Sequence, residues 1–198
     1  MGTIKELSGV DLEQIVRDNG PYTPSPTAWE DHVLYFMMAD RFSDGNEKGF
    51  KGNNGKLVNT GSTPLYSHND YENAVRNGAN PKDWENAGNV WCGGNLEGLI
   101  SKLGYLKRLG VSAIWLSPIF KQVERDKTYH GYGIQNFLDI DPQFGSKEEL
   151  KALVAAAHKH DIYVILDIII NHTGDVFSYE HKHMYYYQGW QYPSIGYR

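Results

Sequence analysis

Apolar positions along this chain change their spacing in a way that lays out strands and helices in alternation. Val33 to Met38 is an unbroken apolar run of strand length that turns polar at Asp40 and Arg41. Leu96, Leu99, Ile100, Leu103 and Leu106 then recur at three- and four-residue intervals, the stripe of a single helix that Asn95 can cap and Gly110 can stop. A second strand, Val111 to Leu116, is closed by Ser117 and Pro118. Ser146, with Glu149 three residues on, is a capping box for a second helix whose stripe is Leu150, Leu153, Val154 and Ala157. A third strand follows from Tyr163 to Ile170. That order predicts two right-handed crossovers between parallel strands buried on both faces.

The segments between these elements are less regular. Residues 1–30 are polar and carry Pro21, Pro24 and Pro26, which suits an extended lead-in. The connection over 43–92 is Gly, Asn and charge without a sustained period, far longer than a usual connection, and such loops are functional or mobile. Another loop contains Tyr129, His130, Gly131, Tyr132 and Gly133.

The end of the third strand carries the candidate chemistry. Side chains alternate along a strand, so Asp167, Ile169 and Asn171 share a face while His172 sits at or just past the end. Polar groups delivered to the C-terminal end of a parallel strand are where such folds place a site. No strand-end carboxylate that could complete a catalytic pair follows His172.

Composition narrows the partners. Nineteen Lys plus Arg face 24 Asp plus Glu, with no basic stripe to track a phosphate backbone, which argues against nucleic acid. Cys92 is the only cysteine, so an intrachain disulfide and a thiolate zinc cluster are both ruled out. The start has no apolar signal core and no apolar run approaches a membrane span, so the expectation is no membrane partner and a chain that is cytoplasmic or secreted with its signal removed. His181 and His183 read as exposed tail histidines rather than metal ligands. The aromatics Phe177, Tyr179, Tyr185, Tyr186, Tyr187 and Trp190 read either as a surface that stacks on sugar or as core residues of a further domain.

Five stretches carry a resemblance. They are Met38 to Asn46, Cys92 to Gly98, Gly110 to Pro118, Tyr129 to Tyr132, and Asp167-Ile168-Ile169-Ile170-Asn171-His172. In this order the chain resembles the opening third of the α-amylase family, glycoside hydrolase family 13, and is most similar to bacterial α-amylases, cyclodextrin glucanotransferases and cyclomaltodextrinases. The resemblance implies an α/β fold, a partial (β/α)8 barrel holding about strands one to three of a domain that needs at least about 250 residues. It implies a lead-in over 1–30, the first part of the barrel over 31–174 and the start of a protruding domain over 175–198.

Residue by residue, the resemblance assigns roles. His172 matches the histidine that bonds the glucosyl unit beside the cleaved bond, Tyr132 the aromatic platform under that sugar, and His130 a further polar contact. Sugars offer C–H faces to aromatic rings and hydroxyls to donors and acceptors, so these residue types suit the task. Asp167 matches a buried support that positions neighbouring charges, and is not the nucleophile. Asn171 matches a calcium ligand, and Asp44, Asn46 and Asn95 resemble a second calcium site, though Gly49 and Phe50 stand where relatives place further ligands.

The family cleaves or transfers α-linked glucosyl units with retention, using an aspartate nucleophile and a glutamic acid on later strands. The expectation is therefore the N-terminal part of an α-glucan-active hydrolase or transglycosylase, inactive alone and self-associating through exposed barrel edges. The alternatives are a non-catalytic glucan- or calcium-binding half-barrel and a module completed by a second chain.

Overall fold

Asp11 starts the first element. Its carboxylate accepts from the Gln14 N–H at 2.9 Å and opens α1 (Leu12–Asn19), which Arg17 ties to Glu13 and Gln14 ties to Asp18 across single turns. The stretch expected as an extended lead-in thus contains a helix, because the prolines all fall after Gly20, beyond its end. Residues up to His32 form one compact unit and residues from Val33 a second. The computed structural model describes residues 11–20, 22–64, 88, 90–124, 128–176, 184–187 and 190–193.

The second unit opens with β1 (Leu34–Met37). Among its described residues the long connection holds four two-residue strands, β2 (Glu47–Lys48), β3 (Phe50–Lys51), β4 (Leu57–Val58) and β5 (Thr63–Pro64), with β2 parallel to β5 and β3 antiparallel to β4. Next come α2 (Leu96–Ser101), α3 (Leu103–Leu109) and β6 (Ala113–Leu116). A hairpin of β7 (Phe120–Gln122) and β8 (Ile134–Ile140) precedes α4 (Lys147–Lys159) and β9 (Tyr163–Leu166), and an antiparallel pair, β10 (Met184–Tyr187) and β11 (Trp190–Pro193), lies beyond.

Strands β1, β6 and β9 form one parallel sheet in that order, in register from Leu34, Ala113 and Tyr163 to Met37, Leu116 and Leu166. Helix residues Leu96, Leu99, Leu103, Leu106, Leu153 and Ala157 are fully buried and form one core with Ile114, Leu116, Val164 and Leu166 on one face of the sheet. Burying each such leucine is worth about 2 kcal/mol, so this layer is what holds the strands in place. Among the described residues the chain is α/β, an arc of a (β/α) barrel three strands wide and not closed.

The sequence leads one to expect a single helix over 95–110, and the structure breaks it at Lys102. Asn53 causes the break: its side-chain nitrogen donates to the Ile100 carbonyl at 2.8 Å and its oxygen accepts from the Gly104 N–H at 2.8 Å. Those two groups would otherwise bond each other across one helical turn, so the amide is inserted into the ladder. Gly104 is required there, since a Cβ would lie 2.6 Å from the Asn53 Cα. Strand three also ends earlier than expected, at Leu166 rather than Ile170. The Asp167 N–H still donates to the Leu116 carbonyl at 3.1 Å, but the neighbouring strand then runs into Pro118, which has no N–H to continue the pairing. The Tyr129 to Gly133 loop proves to be the tip region of the β7–β8 hairpin.

The broken helix also anchors the long connection through charge. Lys102, buried at the break, places its Nζ 2.8 Å from Glu47 Oε2 and 3.6 Å from the centre of the Phe50 ring. Burial pushes the Glu47 carboxyl up, but hydrogen bonds from Lys102 and Ser43 outweigh it and leave the group below its ordinary value near 4.5. A depressed folded value means that the pair stabilises fully above the unfolded value and fades as pH falls through the folded one, below about pH 4.5. Lys102→Met is expected to cost about 2 to 3 kcal/mol at neutral pH, under the range for a wholly buried pair because the Glu47 side chain is 17% exposed. Urea melts across pH 3 to 7 check this: the variant should lose stability less steeply below about pH 4.5 than the parent.

Candidate functional site

The C-terminal ends of the three parallel strands and the tip of the hairpin meet in one place. From the end of β1 come Asp40 and Arg41, from the hairpin Tyr129, His130 and Tyr132, and from the end of β9 Asp167. The Tyr132 hydroxyl donates to Asp167 Oδ2 at 3.1 Å. His130 and Tyr132 stack with ring centroids 5.7 Å apart and planes 23° from parallel, and Tyr129 meets the His130 ring edge-on at 5.3 Å. The Arg41 guanidinium lies over the Tyr129 ring, 4.0 Å from its centre.

The surroundings of two of these rings favour one protonation state each. The Tyr132 N–H donates to His130 Nδ1 at 3.0 Å, so that nitrogen is an acceptor and the proton of the neutral ring is on Nε2, a donor suited to a hydroxyl oxygen. Burial lowers the His130 value, which keeps the ring neutral at physiological pH. Tyr132 is raised, first by burial and then by its bond to the Asp167 carboxylate and that group's charge, so it remains a phenol.

Asp40 builds the wall behind this cluster. Its buried carboxylate accepts from the Cys92 N–H at 2.9 and 3.0 Å and from the Gly93 N–H at 2.9 Å, and sits 3.5 Å from Arg41 Nε. Arg41 in turn donates to the Cys92 sulfur. Gly94 allows the close approach: a Cβ there would be 2.1 Å from the Ala39 carbonyl oxygen. Burial is the main influence on the Cys92 thiol and raises its value, so it is a thiol at neutral pH.

The structure therefore brings together three of the residues singled out from sequence, Tyr132, His130 and Asp167. Asn171 and His172 lie on the exposed segment past β9, with the Asn171 amide nitrogen 3.3 Å from His172 Nδ1. Neither bonds to the Tyr132 cluster among the described residues. Asp44, Asn46 and Asn95 are occupied locally: both Asp44 oxygens accept from Asn46, at 2.9 and 3.1 Å, and the Asn95 oxygen accepts from the Gly98 N–H at 2.8 Å as the cap of α2. Among the described residues no group of three His, Cys, Asp or Glu converges as a metal site. Phe177, Tyr179, His181 and His183 lie outside the described residues.

Sequence reasoning passed over Arg41, Asp40 and Tyr129. The signal was present in Asp40 and Arg41, two charges directly after an apolar strand, which is the same pattern that picked out Asp167.

Comparison with known proteins gives this geometry its relatives. The family model described as "Alpha amylase, catalytic domain" matches residues 36–193. The beta/alpha-amylase of Paenibacillus polymyxa is 32% identical over 149 residues, 75% of this chain and 10% of that protein. An alpha-amylase of Streptomyces lividans is 43% identical over 110 residues, 52% of this chain and 12% of that protein. Among solved structures, an Anoxybacillus alpha-amylase is similar with a TM-score of 0.53 at 36% identity, over 79% of this chain and 27% of that one. The chain thus spans between 10% and 27% of the length of these relatives.

Proposed function

The chain belongs to the α-amylase family, and from that premise we propose that it forms the sugar-binding opening section of a barrel acting on α-1,4-linked glucans with retention. The observation that carries this reading is the Tyr132–Asp167 hydrogen bond with His130 stacked on Tyr132. An aromatic face bounded by a neutral imidazole donor and a carboxylate suits a pyranose ring, whose C–H face packs on the phenol while its hydroxyls bond to either side. In this proposal Asp167 holds the phenol, whose hydroxyl donates to its Oδ2. His172, on the exposed segment past β9, joins the sugar in this proposal, and Arg41 supports the ring of Tyr129.

The two carboxylates that a retaining glycosidase needs, about 5 to 5.5 Å apart, are not assigned to any residue of these 198. Binding without turnover is accordingly the property proposed for this chain, and hydrolysis or transfer the property proposed for a protein that also supplies them. Calcium is handled in the same way. Asn171 could contribute one neutral oxygen, whereas the ion takes six to eight, and the Asp44 and Asn95 oxygens already accept hydrogen bonds. That donor set does not fit the ion, so the proposed binding of sugar does not run through it.

The test pairs binding with turnover. Maltotriose added to the isotopically labelled chain is expected to shift the ring signals of Tyr132, His130 and His172, with no reducing sugar released from starch above buffer. Absence of any shift at those three rings would sink the sugar-site reading, and sustained turnover by contaminant-free protein would sink the division between binding and chemistry.

A further inference from the structure

Tyr132 sits on a hairpin tip, and a ring that must meet a sugar needs its backbone fixed from outside the tip. Gln122 is the side chain placed to do this. It is 2% exposed, and its amide nitrogen donates to the carbonyls of Phe120 at 2.8 Å and Gly131 at 2.9 Å, while its oxygen accepts from the Gly133 N–H at 2.9 Å. Gly131 and Gly133 flank Tyr132 on either side. Pairing of β7 with β8 shifts register at Lys121 and Gln122, so a side-chain amide makes bonds here that a regular ladder would otherwise supply.

Gln122 is itself held. Its backbone N–H donates to Asp141 Oδ2 at 2.8 Å, and the other Asp141 oxygen accepts from the Gln143 N–H at 2.8 Å. The flanking glycines are confined as well, since a Cβ at Gly131 would lie 1.8 Å from the Pro118 oxygen and one at Gly133 would lie 2.3 Å from Thr128 Cγ2. The loop is therefore gripped between Pro118, Thr128 and one amide.

We propose that Gln122 is the positioning residue of the sugar site: by bonding both neighbours of Tyr132, its buried amide sets the phenol against Asp167 and the ring beneath His130. The functional meaning of this role rests on the glucan reading of Tyr132; the positioning itself does not. The residue type follows from the chemistry. A primary amide offers two donors and an acceptor at one end, and these three backbone groups engage all of them. Glutamate would point acceptors at two carbonyls, methionine would leave the Gly133 N–H and the Gly131 carbonyl without their partner, and asparagine is one methylene short.

Gln122→Met and Gln122→Glu test the proposal, with the Tyr132 phenol titration followed by ring NMR and assigned with Tyr132→Phe. In the folded variants that titration should fall toward the ordinary tyrosine range as the Asp167 contact is lost. Asp167→Asn should lower it in the same direction, and adding Gln122→Met to Asp167→Asn should move it little further. A folded Gln122→Met chain with an unmoved Tyr132 titration would overturn the proposal. Should both variants fail to fold, the parent chain still decides: the Gln122 side-chain amide protons are expected to exchange with water at least tenfold more slowly than those of exposed Gln135, and equal exchange would overturn it. Maltotriose titration separates the two claims. Weakened binding in the variants supports both, and a parent chain that ignores maltotriose removes the glucan reading while the phenol titration continues to decide the positioning.

Discussion

Gly131→Ala is expected to cost on the order of 4 kcal/mol, near the upper end for a single substitution, and with it the Tyr132–Asp167 contact. Two penalties add. Gly131 has φ +89°, a left-handed conformation that costs a side-chain-bearing residue about 1 to 2 kcal/mol. A Cβ there would also meet the Pro118 carbonyl at 1.8 Å from the oxygen and 2.8 Å from the carbon, and this is backbone, which cannot rotate aside. The loop has little room to retreat, because the Gln122 amide bonds the Gly131 carbonyl and the Gly133 N–H. Gly110 supplies the control. Its φ is +92°, almost the same, yet a Cβ would meet nothing within 4 Å, so Gly110→Ala should lose only the conformational part, about 1 to 2 kcal/mol. Urea melts of the two variants, with the Tyr132 ring signal as a local probe, separate the terms. Equal losses would mean that the hairpin tip relaxes freely and that its fit against Pro118 fixes nothing.

The same contrast explains how much could be read from the sequence. Interactions made within a few residues were legible. Ser146 and Glu149 form both halves of the expected capping box, Asn95 caps α2 through the Gly98 N–H, and Gly110 stops α3 in the left-handed conformation. Parallel strand order was legible too, because a helix between two apolar runs leaves few ways to bury both.

What escaped depends on partners far away in the chain. Asn53 breaks a helix that lies 47 residues on, and Lys102, which looks like an exposed helical lysine, is buried because Glu47 and Phe50 reach it from the long connection. Gln122 carries no local mark, since two of its three backbone partners, Gly131 and Gly133, are brought to it by the hairpin. For the site, residue types at strand ends led to Asp167, and the ring pair came with the resemblance. Bringing Tyr132 onto Asp167 took a hairpin that polar composition alone had presented as loop.

Self-association of the 198-residue chain is the other large effect to expect, and the open side of the sheet gives the reason. Phe36, Trp115 and Ile165 occupy matching positions on β1, β6 and β9, so they form one apolar row across the sheet, opposite the helix-covered face. Phe36 and Trp115 meet edge to face at 5.3 Å, yet remain 49% and 40% exposed, and Ile168 and Ile170 beyond β9 are 61% and 95% exposed. In a closed barrel the opposite strands fill that space. Among the described residues the sheet order also leaves β1 and β9 each with one free edge, and neither strand carries a Lys or Pro to discourage pairing. Apolar surface and unpaired strand edges together favour a second copy over water. Light scattering coupled to size exclusion is expected to report species larger than the 22.5 kDa monomer at micromolar concentration. Trp115→Lys should shift them toward monomer while the fold survives, because residue 115 lies on the face away from the helix-packed core formed by Ile114 and Leu116. A parent chain that runs as a monomer and binds no apolar dye would show that this face is covered from within the chain, and the edge-pairing account would fall with it.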